Sequence, residues 1–249
     1  MLAVERRNLV LETLRRDRTV VVSELARRFA VTEETVRRDL GKLEREGLVT
    51  RTHGGAVASD TEDLPYRTRQ TTNIEAKRRI AVQAARLVAS GSAVMLDSSS
   101  TAFEVLPRLK DHKDLTLITN SVRIIANPDV TDHAIMSVGG ELRRRSMTFV
   151  GPLARQAISQ FNVDDALISC KALSQTGGVM DASVADAEIK RAFIASARRV
   201  VLLADGDKFD GSALIEVCPF ERIHTVITDR PPSESWQVFL ADRKVTLIF

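Results

Sequence analysis

The chain has 249 residues, 44% of them hydrophobic, and a formal net charge of only +3; that is apolar content for a well-buried core, in one large domain or one small and one large, with too little charge to mark the whole chain as a polycation. Of 36 Lys and Arg and 33 Asp and Glu, residues 1–56 hold 12 and 9, which leaves 24 of each for the remainder, so the positive excess sits in the first segment, where a polyanion would be met. The first 20 residues include Glu5, Arg6, Arg7, Glu12, Arg15, Arg16 and Asp17, no uncharged run approaches membrane-spanning length, and Cys170 and Cys218 lack metal-ligand spacing, which excludes a signal peptide, a membrane span and a cysteine metal site.

A soluble, cytoplasmic protein is expected, with both cysteines buried as small hydrophobes. Leu2 to Arg16 sets Val4, Leu9, Val10, Leu11 and Leu14 at mostly helical spacings between arginines, which predicts a first helix. Thr19–Val22 is β-branched and short, a small strand or connector. Ser23 is placed as the N-cap of a second helix with Leu25, Ala26 and Phe29 on its apolar side; Ala30 and Val31 make a turn, and Thr32 caps a third helix that stops at Gly47. At about 100° per residue, Val36, Leu40 and Leu43 share one narrow sector of that third helix. Glu34, Arg38, Gly41 and Arg45 lie opposite, flanked by Thr35 and Arg37. One face is thus for burial and the other for base edges and phosphates, as a major-groove recognition helix requires, and Arg37 or Arg38 has the chemistry to pair with guanine. Leu48–Ala56 alternates and ends in Gly54-Gly55, a β-hairpin wing. Arg51 and His53 are placed there to touch the DNA backbone or minor groove, although His53 reads equally well as a surface turn residue.

The run TEETVRRDLGKLEREGLVTRTHGGA, Thr32 to Ala56, resembles the winged helix-turn-helix signature of DeoR-type bacterial transcription regulators. The double Arg followed by Asp-Leu and the terminal His-Gly-Gly-Ala are its specific parts. The expected DNA contacts are Ser23, Thr32, Glu34, Thr35, Arg37, Arg38, Arg45, Arg51 and His53, in a DNA-binding domain spanning 1–56.

Residues 57–73 are polar and read as a linker. At its end Thr72-Asn-Ile-Glu75 fits a capping box, with Thr72 at the cap of a helix that runs to about Ala89. From 74 to 249, apolar runs recur at Ala93–Leu96, Leu115–Thr119, Ala134–Val138, Ala166–Ile168, Val200–Ala204, Thr225–Thr228 and Val245–Ile248, mostly separated by helical stretches such as Val184–Ala197. The alternation predicts an α/β, Rossmann-like domain, its mostly parallel sheet covered on both faces and its ligands at the carboxyl ends of the strands. After the first run, Asp97-Ser98-Ser99-Ser100-Thr101 opens a helix that Pro107 ends or kinks. Its four hydroxyls and free N–H groups read as an anion seat suited to phosphate, the alternative being plain capping by one hydroxyl. Later runs are followed by Thr119-Asn120-Ser121, by Gly139-Gly140-Glu141, by Cys170-Lys171 and by Asp205-Gly206-Asp207-Lys208. Together they suit a polyhydroxy, anionic small molecule: carboxylates and amides for hydroxyls, lysines for phosphate. Arg143–Arg145 reads as a solvated charge run.

Asp97-Ser-x-x-Thr101, Thr119-Asn-Ser121, Gly139-Gly-Glu141, the Cys170–Leu173 loop, Ala185–Lys190 and Ala204-Asp-x-x-Lys-Phe209 resemble the DeoR-type sensor domain, so the likeness covers nearly the whole chain. It implies a fold similar to sugar-phosphate isomerases and an effector site of Asp97, Ser98, Ser99, Ser100, Thr101, Asn120, Gly139, Gly140, Glu141, Lys171, Asp181, Asp205 and Lys208. Ser99 and Ser100 stand where Gly and Thr are common in that family, and Met180 where Thr is common before Asp181. The resulting expectation is a transcription regulator, commonly a repressor of carbohydrate-metabolism genes. Its partners are double-stranded operator DNA, a phosphorylated sugar or related metabolite, and itself in a homo-oligomer. No catalytic residue, metal, cofactor or membrane enters. Two alternatives stand beside it. One is an isomerase-like enzyme with Asp97, Asp181 or Asp205 as base and Lys208 as electrophilic aid. The other is a constitutive DNA-binding protein whose second domain, 74–249, only oligomerises.

Overall fold

In the structure, a computed structural model that describes residues 2–17, 19–45, 48–58 and 66–249, the chain divides into two units, Met1–Thr68 and Arg69–Phe249. The first holds α1 (Ala3–Asp17), β1 (Thr19–Val21), α2 (Val22–Phe29), α3 (Glu33–Arg45), β2 (Val49–Arg51) and β3 (Gly55–Ala58). The strands form an antiparallel sheet in the order β1-β3-β2. Val10 and Leu14 of α1, Leu25 of α2 and Val36, Leu40 and Leu43 of α3 share one core, so the apolar sector expected of α3 is the buried one. Gly55 permits the sheet to close: a Cβ there would lie 1.9 Å from the Val20 carbonyl oxygen.

Ser23 is not the N-cap of α2. The helix begins at Val22 after the extended Val21, with no side chain capping it. The wing supplies the cap instead, since the Val22 N–H donates to the Gly54 carbonyl at 2.9 Å. Ala30 ends α2 in the left-handed region, φ 52°, and its N–H turns back to the last carbonyls of the helix. Thr32 does cap α3, accepting from the Thr35 N–H at 3.2 Å. Gly47, where α3 was expected to stop, lies outside the described residues, as does the side chain of Arg45.

Where a linker was expected, β3 reaches Ala58 and a short helix, α4 (Tyr66–Thr71), precedes α5 (Ile74–Leu87); residues 59–65 lie outside the described ones. The expected capping box at Thr72 does not form. Asn73 is the residue before α5, in the left-handed region at φ 53°, and no side chain caps the helix. Its amide is engaged elsewhere, on Asp205 and Asp207.

The larger unit continues through β4 (Ala93–Leu96), α6 (Ser100–Val105), β5 (Thr116–Thr119), α7 (Val122–Ile125), β6 (Ala134–Ser137), β7 (Glu141–Arg143), β8 (Thr148–Val150), α8 (Pro152–Ile158), β9 (Val163–Ser169), β10 (Ala172–Ser174), β11 (Gly178–Asp181), α9 (Val184–Ser196), β12 (Ala197–Leu203), β13 (Ile215–Cys218), β14 (Thr225–Ile227), α10 (Glu234–Asp242) and β15 (Thr246–Ile248). All seven predicted apolar runs are strands of one parallel sheet, ordered β15-β14-β12-β9-β4-β5-β6. Alternate residues face opposite layers. Val94 and Leu96 of β4 pack with Ile80 and Ala84 of α5 and Val105 of α6; Met95 packs in the other layer, with Ile158 of α8 and Phe193 of α9. The β7–β8 hairpin and a small antiparallel sheet, β10-β11-β13, are additions the apolar pattern did not announce. Both cysteines are buried and unpaired.

Candidate functional site

In the N-terminal unit, α3 is presented by its packing. An Arg6–Asp39 ion pair, with Nε 2.5 Å from the carboxylate, lies buried between α1 and α3, and Arg7 stands 3.5 Å from the same carboxylate. The opposite face is open: Glu34, Arg37 and Arg38 are exposed, and Thr35 is half-buried with its hydroxyl 2.9 Å from that of Thr32. Arg37 pairs with Glu33 one turn back at 2.6 Å. Arg38 has no ion pair among the described residues. The wing joins this face. The Arg51 N–H donates to Glu44 of α3 at 3.3 Å. Its guanidinium lies over Gly41, 3.9 Å from where a Cβ would be. The exposed Arg38 and Arg51 and the half-buried Gly41 therefore share one surface, with His53 exposed at the tip of the wing. Ser23 is exposed on the first turn of α2.

In the larger unit, the chain enters the sheet at β4, runs outward to β6, then returns to β9 on the other side of β4. Adjacent strands whose connections leave in opposite directions open a crevice at their carboxyl ends. The buried Asp97, just after β4, bridges this break. Its Oδ1 accepts from the Ser99 N–H and its Oδ2 from the Ser169 N–H at the end of β9, both at 2.9 Å. The Ser169 hydroxyl accepts from Lys208 Nζ at 2.7 Å and donates to the Leu203 carbonyl of β12 at 2.7 Å. Lys208 also stands 3.9 Å from Asp205. From α9, Lys190 hydrogen-bonds Asp181 and lies 3.7 Å from Asp97. Burial works against the Lys190 ammonium, but the Asp181 and Asp97 carboxylates overcome it and hold its pKa above the ordinary lysine value. Burial pushes the Cys170 thiol up to about 11, so it offers no thiolate nucleophile at neutral pH.

Asp97, Asp181, Asp205 and Lys208 thus belong to one network, closed by Lys190 and Ser169. Ser99 caps α6, accepting from the Ala102 N–H at 3.0 Å. Among the described residues no hydrogen bond engages the hydroxyls of Ser98, Ser100 and Thr101. Because α6 is only six residues long, its dipole adds little. Asn120 braces the hairpin, its amide donating to Thr148 Oγ1 at 2.6 Å and to the Phe149 carbonyl at 3.1 Å. Gly140, at φ 107°, turns the chain into that hairpin, where a Cβ would lie 2.7 Å from the Val150 carbonyl oxygen. Gly139 precedes it at φ 63° with open space around it. Glu141 and Lys171 are exposed. Arg143 is not part of a solvated run: it pairs with Asp186 at 2.8 Å and donates to Ser183, the cap of α9.

Lys190, Ser169, Asn73 and Lys77 were not among the expected site residues. The two lysines carry a readable signal. Lys77 shares a helix stripe with Ile80, Ala81 and Ala84, and Lys190 with Ala187, Phe193 and Ile194, all of them buried. A charge on an apolar stripe needs a buried partner.

A winged helix with an arginine face, followed by a doubly wound α/β unit with a charged crevice at its strand-order break, defines a DNA-binding transcription regulator with a sensor unit. The chain belongs to the DeoR family: residues 6–62 match the DeoR-like helix-turn-helix domain and residues 72–230 the DeoR C terminal sensor domain. It is 34% identical to the HTH-type transcriptional regulator YulB of Bacillus subtilis, over 98% of this chain and 96% of that one. It is 31% identical to the glycerol-3-phosphate regulon repressor of Escherichia coli, over 99% of each. Among solved structures, ribose 5-phosphate isomerase from Plasmodium falciparum aligns with a TM-score of 0.40 at 15% identity, over 53% of this chain and 52% of that one. Among the described residues, no helix is long and apolar enough to cross a membrane, and no group of His, Cys, Asp and Glu is placed to hold a metal ion.

Proposed function

We propose that the protein is a cytoplasmic, homo-oligomeric repressor of carbohydrate-metabolism genes, released from or retained on its operator by a phosphorylated sugar held at the strand-end crevice. The observation that carries the effector assignment is the joint placement, at the break in strand order, of Lys208 with the Ser98–Thr101 hydroxyl turn. In this reading Ser98, Ser100, Thr101 and Lys208 take the phosphate, and Ser99 holds the turn. Asp97 fixes the frame. Asp181, Asp205, Asn120, Glu141 and Lys171, with the backbone at Gly139 and Gly140, surround the polyol. A relative that represses a glycerol-3-phosphate regulon supports a phosphorylated polyol as the ligand class. On the DNA side, Arg38 and Arg51 lead. Thr32, Glu34, Thr35, Arg37, Arg45 and His53 flank them, and Ser23 holds the first turn of α2 near the backbone.

The enzyme alternative is disfavoured by how the carboxylates are used. Asp97 accepts two backbone N–H groups, Asp181 is held by Lys190, and Asp205 by Asn73, so each is committed to structure rather than open as a base. The test uses DNA selected by the full-length protein from a randomised library. Operator Kd is then measured with and without glycerol 3-phosphate, fructose 6-phosphate and ribose 5-phosphate. At least one is expected to change Kd about tenfold or more. No change with any of them, and no thermal shift, leaves a constitutive DNA binder. Turnover lost in Lys208→Ala makes the protein an enzyme.

A further inference from the structure

The segment that leads along the chain from the sensor unit into the DNA-binding unit is tied down at two points beside the crevice. Asn73, held at φ 53°, sends its amide to Asp205 Oδ1 at 3.2 Å and Asp207 Oδ2 at 2.9 Å. These acceptors belong to the loop that carries Lys208. One turn into α5, the buried Lys77 turns its ammonium back on the chain. It donates to the Thr72 carbonyl at 2.6 Å and to the Arg69 carbonyl near the end of α4. A lysine buried at 5% exposure with backbone carbonyls as its hydrogen-bond partners is a costly device, since those acceptors carry no charge to offset the desolvation. The site's own charges reach it. Burial first, then the Lys208 ammonium, lower its pKa to about 8; Arg69 adds to this, and Asp205 and Glu104 oppose it.

We propose that Asn73 and Lys77 form a latch that transmits occupancy of the strand-end site to α4, and through it along the chain to the DNA-binding unit. An anion placed against Lys208 offsets the like charge that Lys77 feels. That strengthens the hold of Lys77 on the Arg69 and Thr72 carbonyls. A ligand that engages Asp205 draws on the acceptor that Asn73 uses. Both effects fall on the same few residues, 69–73, the end of α4 and its link to α5. The role is one of positioning, since neither residue needs to touch the ligand.

The latch rests on the effector reading above, and its test separates the two. Asn73→Gly keeps the left-handed backbone free of strain and removes only the amide; Lys77→Met removes the ammonium at nearly constant length. Both are made in the full-length protein. Ligand Kd, and operator Kd with and without ligand, are measured with whichever of the three sugar phosphates most changes operator affinity of the unaltered protein. The expected result is ligand binding within about threefold of the unaltered protein, with the ligand-induced change in operator Kd cut from about tenfold or more to under about threefold. By reciprocity, operator DNA then ceases to alter ligand affinity. Should the unaltered protein respond while Asn73→Gly responds by the same factor, the latch is wrong and the effector reading survives. An unaltered protein that responds to none of the three overturns both. If Lys77→Met fails to fold, Asn73→Gly decides the matter alone.

Discussion

Asp39, Lys77 and Lys190 each sit on the apolar stripe of a helix, and each has a different kind of partner. Asp39 is answered by an arginine from α1, Lys190 by two carboxylates, and Lys77 by backbone carbonyls. Burial pulls the Lys77 pKa down, to about 8 against an ordinary 10.5. Between those values the unfolded chain binds a proton that the folded chain has shed, so folding stability rises with pH across that window. The penalty for burying the charged amine is fully present below about pH 8. Its complete relief is worth about 3 kcal/mol. Urea denaturation of the protein and of Lys77→Met from pH 7.5 to 10.5 checks this: the stability difference between them should move in favour of the unaltered protein as pH rises. A flat difference would show that Lys77 titrates as an ordinary surface lysine. The stripe positions were legible from periodicity alone. The partners were not: Arg6 and Asp97 are remote in sequence from Asp39 and Lys190, and the carbonyls that Lys77 meets belong to backbone, which leaves no side-chain signal.

At the scale of elements, legibility followed burial. The strands of the parallel sheet are covered on both faces and therefore appear as apolar runs; α3 is buried on one face and exposes the other, so its period was plain. The β7–β8 hairpin escaped notice because its arms are three residues long, with β7 largely exposed. The caps of α2 and α5 were misplaced for a related reason: Gly54 and Asp205, which decide those termini, are remote from them in sequence. For the DNA face, period sets Arg38 opposite the apolar sector and Arg37 on its flank, and side-chain chemistry alone leaves either able to read a base. The structure separates them. Arg37 is engaged with Glu33 in a half-exposed pair of the kind worth only a few tenths of a kcal/mol, while Arg38 shares its face with Gly41 and the Arg51 guanidinium. Arg38→Ala should therefore weaken operator binding by about 1–3 kcal/mol, and Arg37→Ala by less. Equilibrium titrations at several salt concentrations distinguish the roles. A base-reading arginine relaxes sequence preference, and a phosphate-gripping one lowers the salt slope by about one. Equal, negligible effects from both would move the contact surface off α3.

For the whole molecule, the two units keep separate accounts of stability. The core of the first draws on residues from Val10 to Ala56, while the two layers of the second draw on residues from Ile80 to Val245, with no residue shared. Residues 1–56, where 12 Lys and Arg meet 9 Asp and Glu, lie within the first, and the charged crevice lies within the second. A ligand that binds only the folded larger unit stabilises that unit by mass action, by about 2.7 kcal/mol at roughly 100 times its Kd. For a domain of this size, that is on the order of 5–10 °C in its melting temperature. Calorimetry of the full-length protein should resolve two transitions, and the sugar phosphate that alters operator affinity should move the larger one by this amount. The smaller transition should respond to operator DNA. Through the latch, the Asn73→Gly variant should keep the ligand-induced shift of the larger transition while losing the effect of ligand on operator affinity. A ligand that moves the smaller transition as far as the larger would mean that the units unfold as one body, and the effector's influence on DNA binding would then need no localised route between α4 and α5.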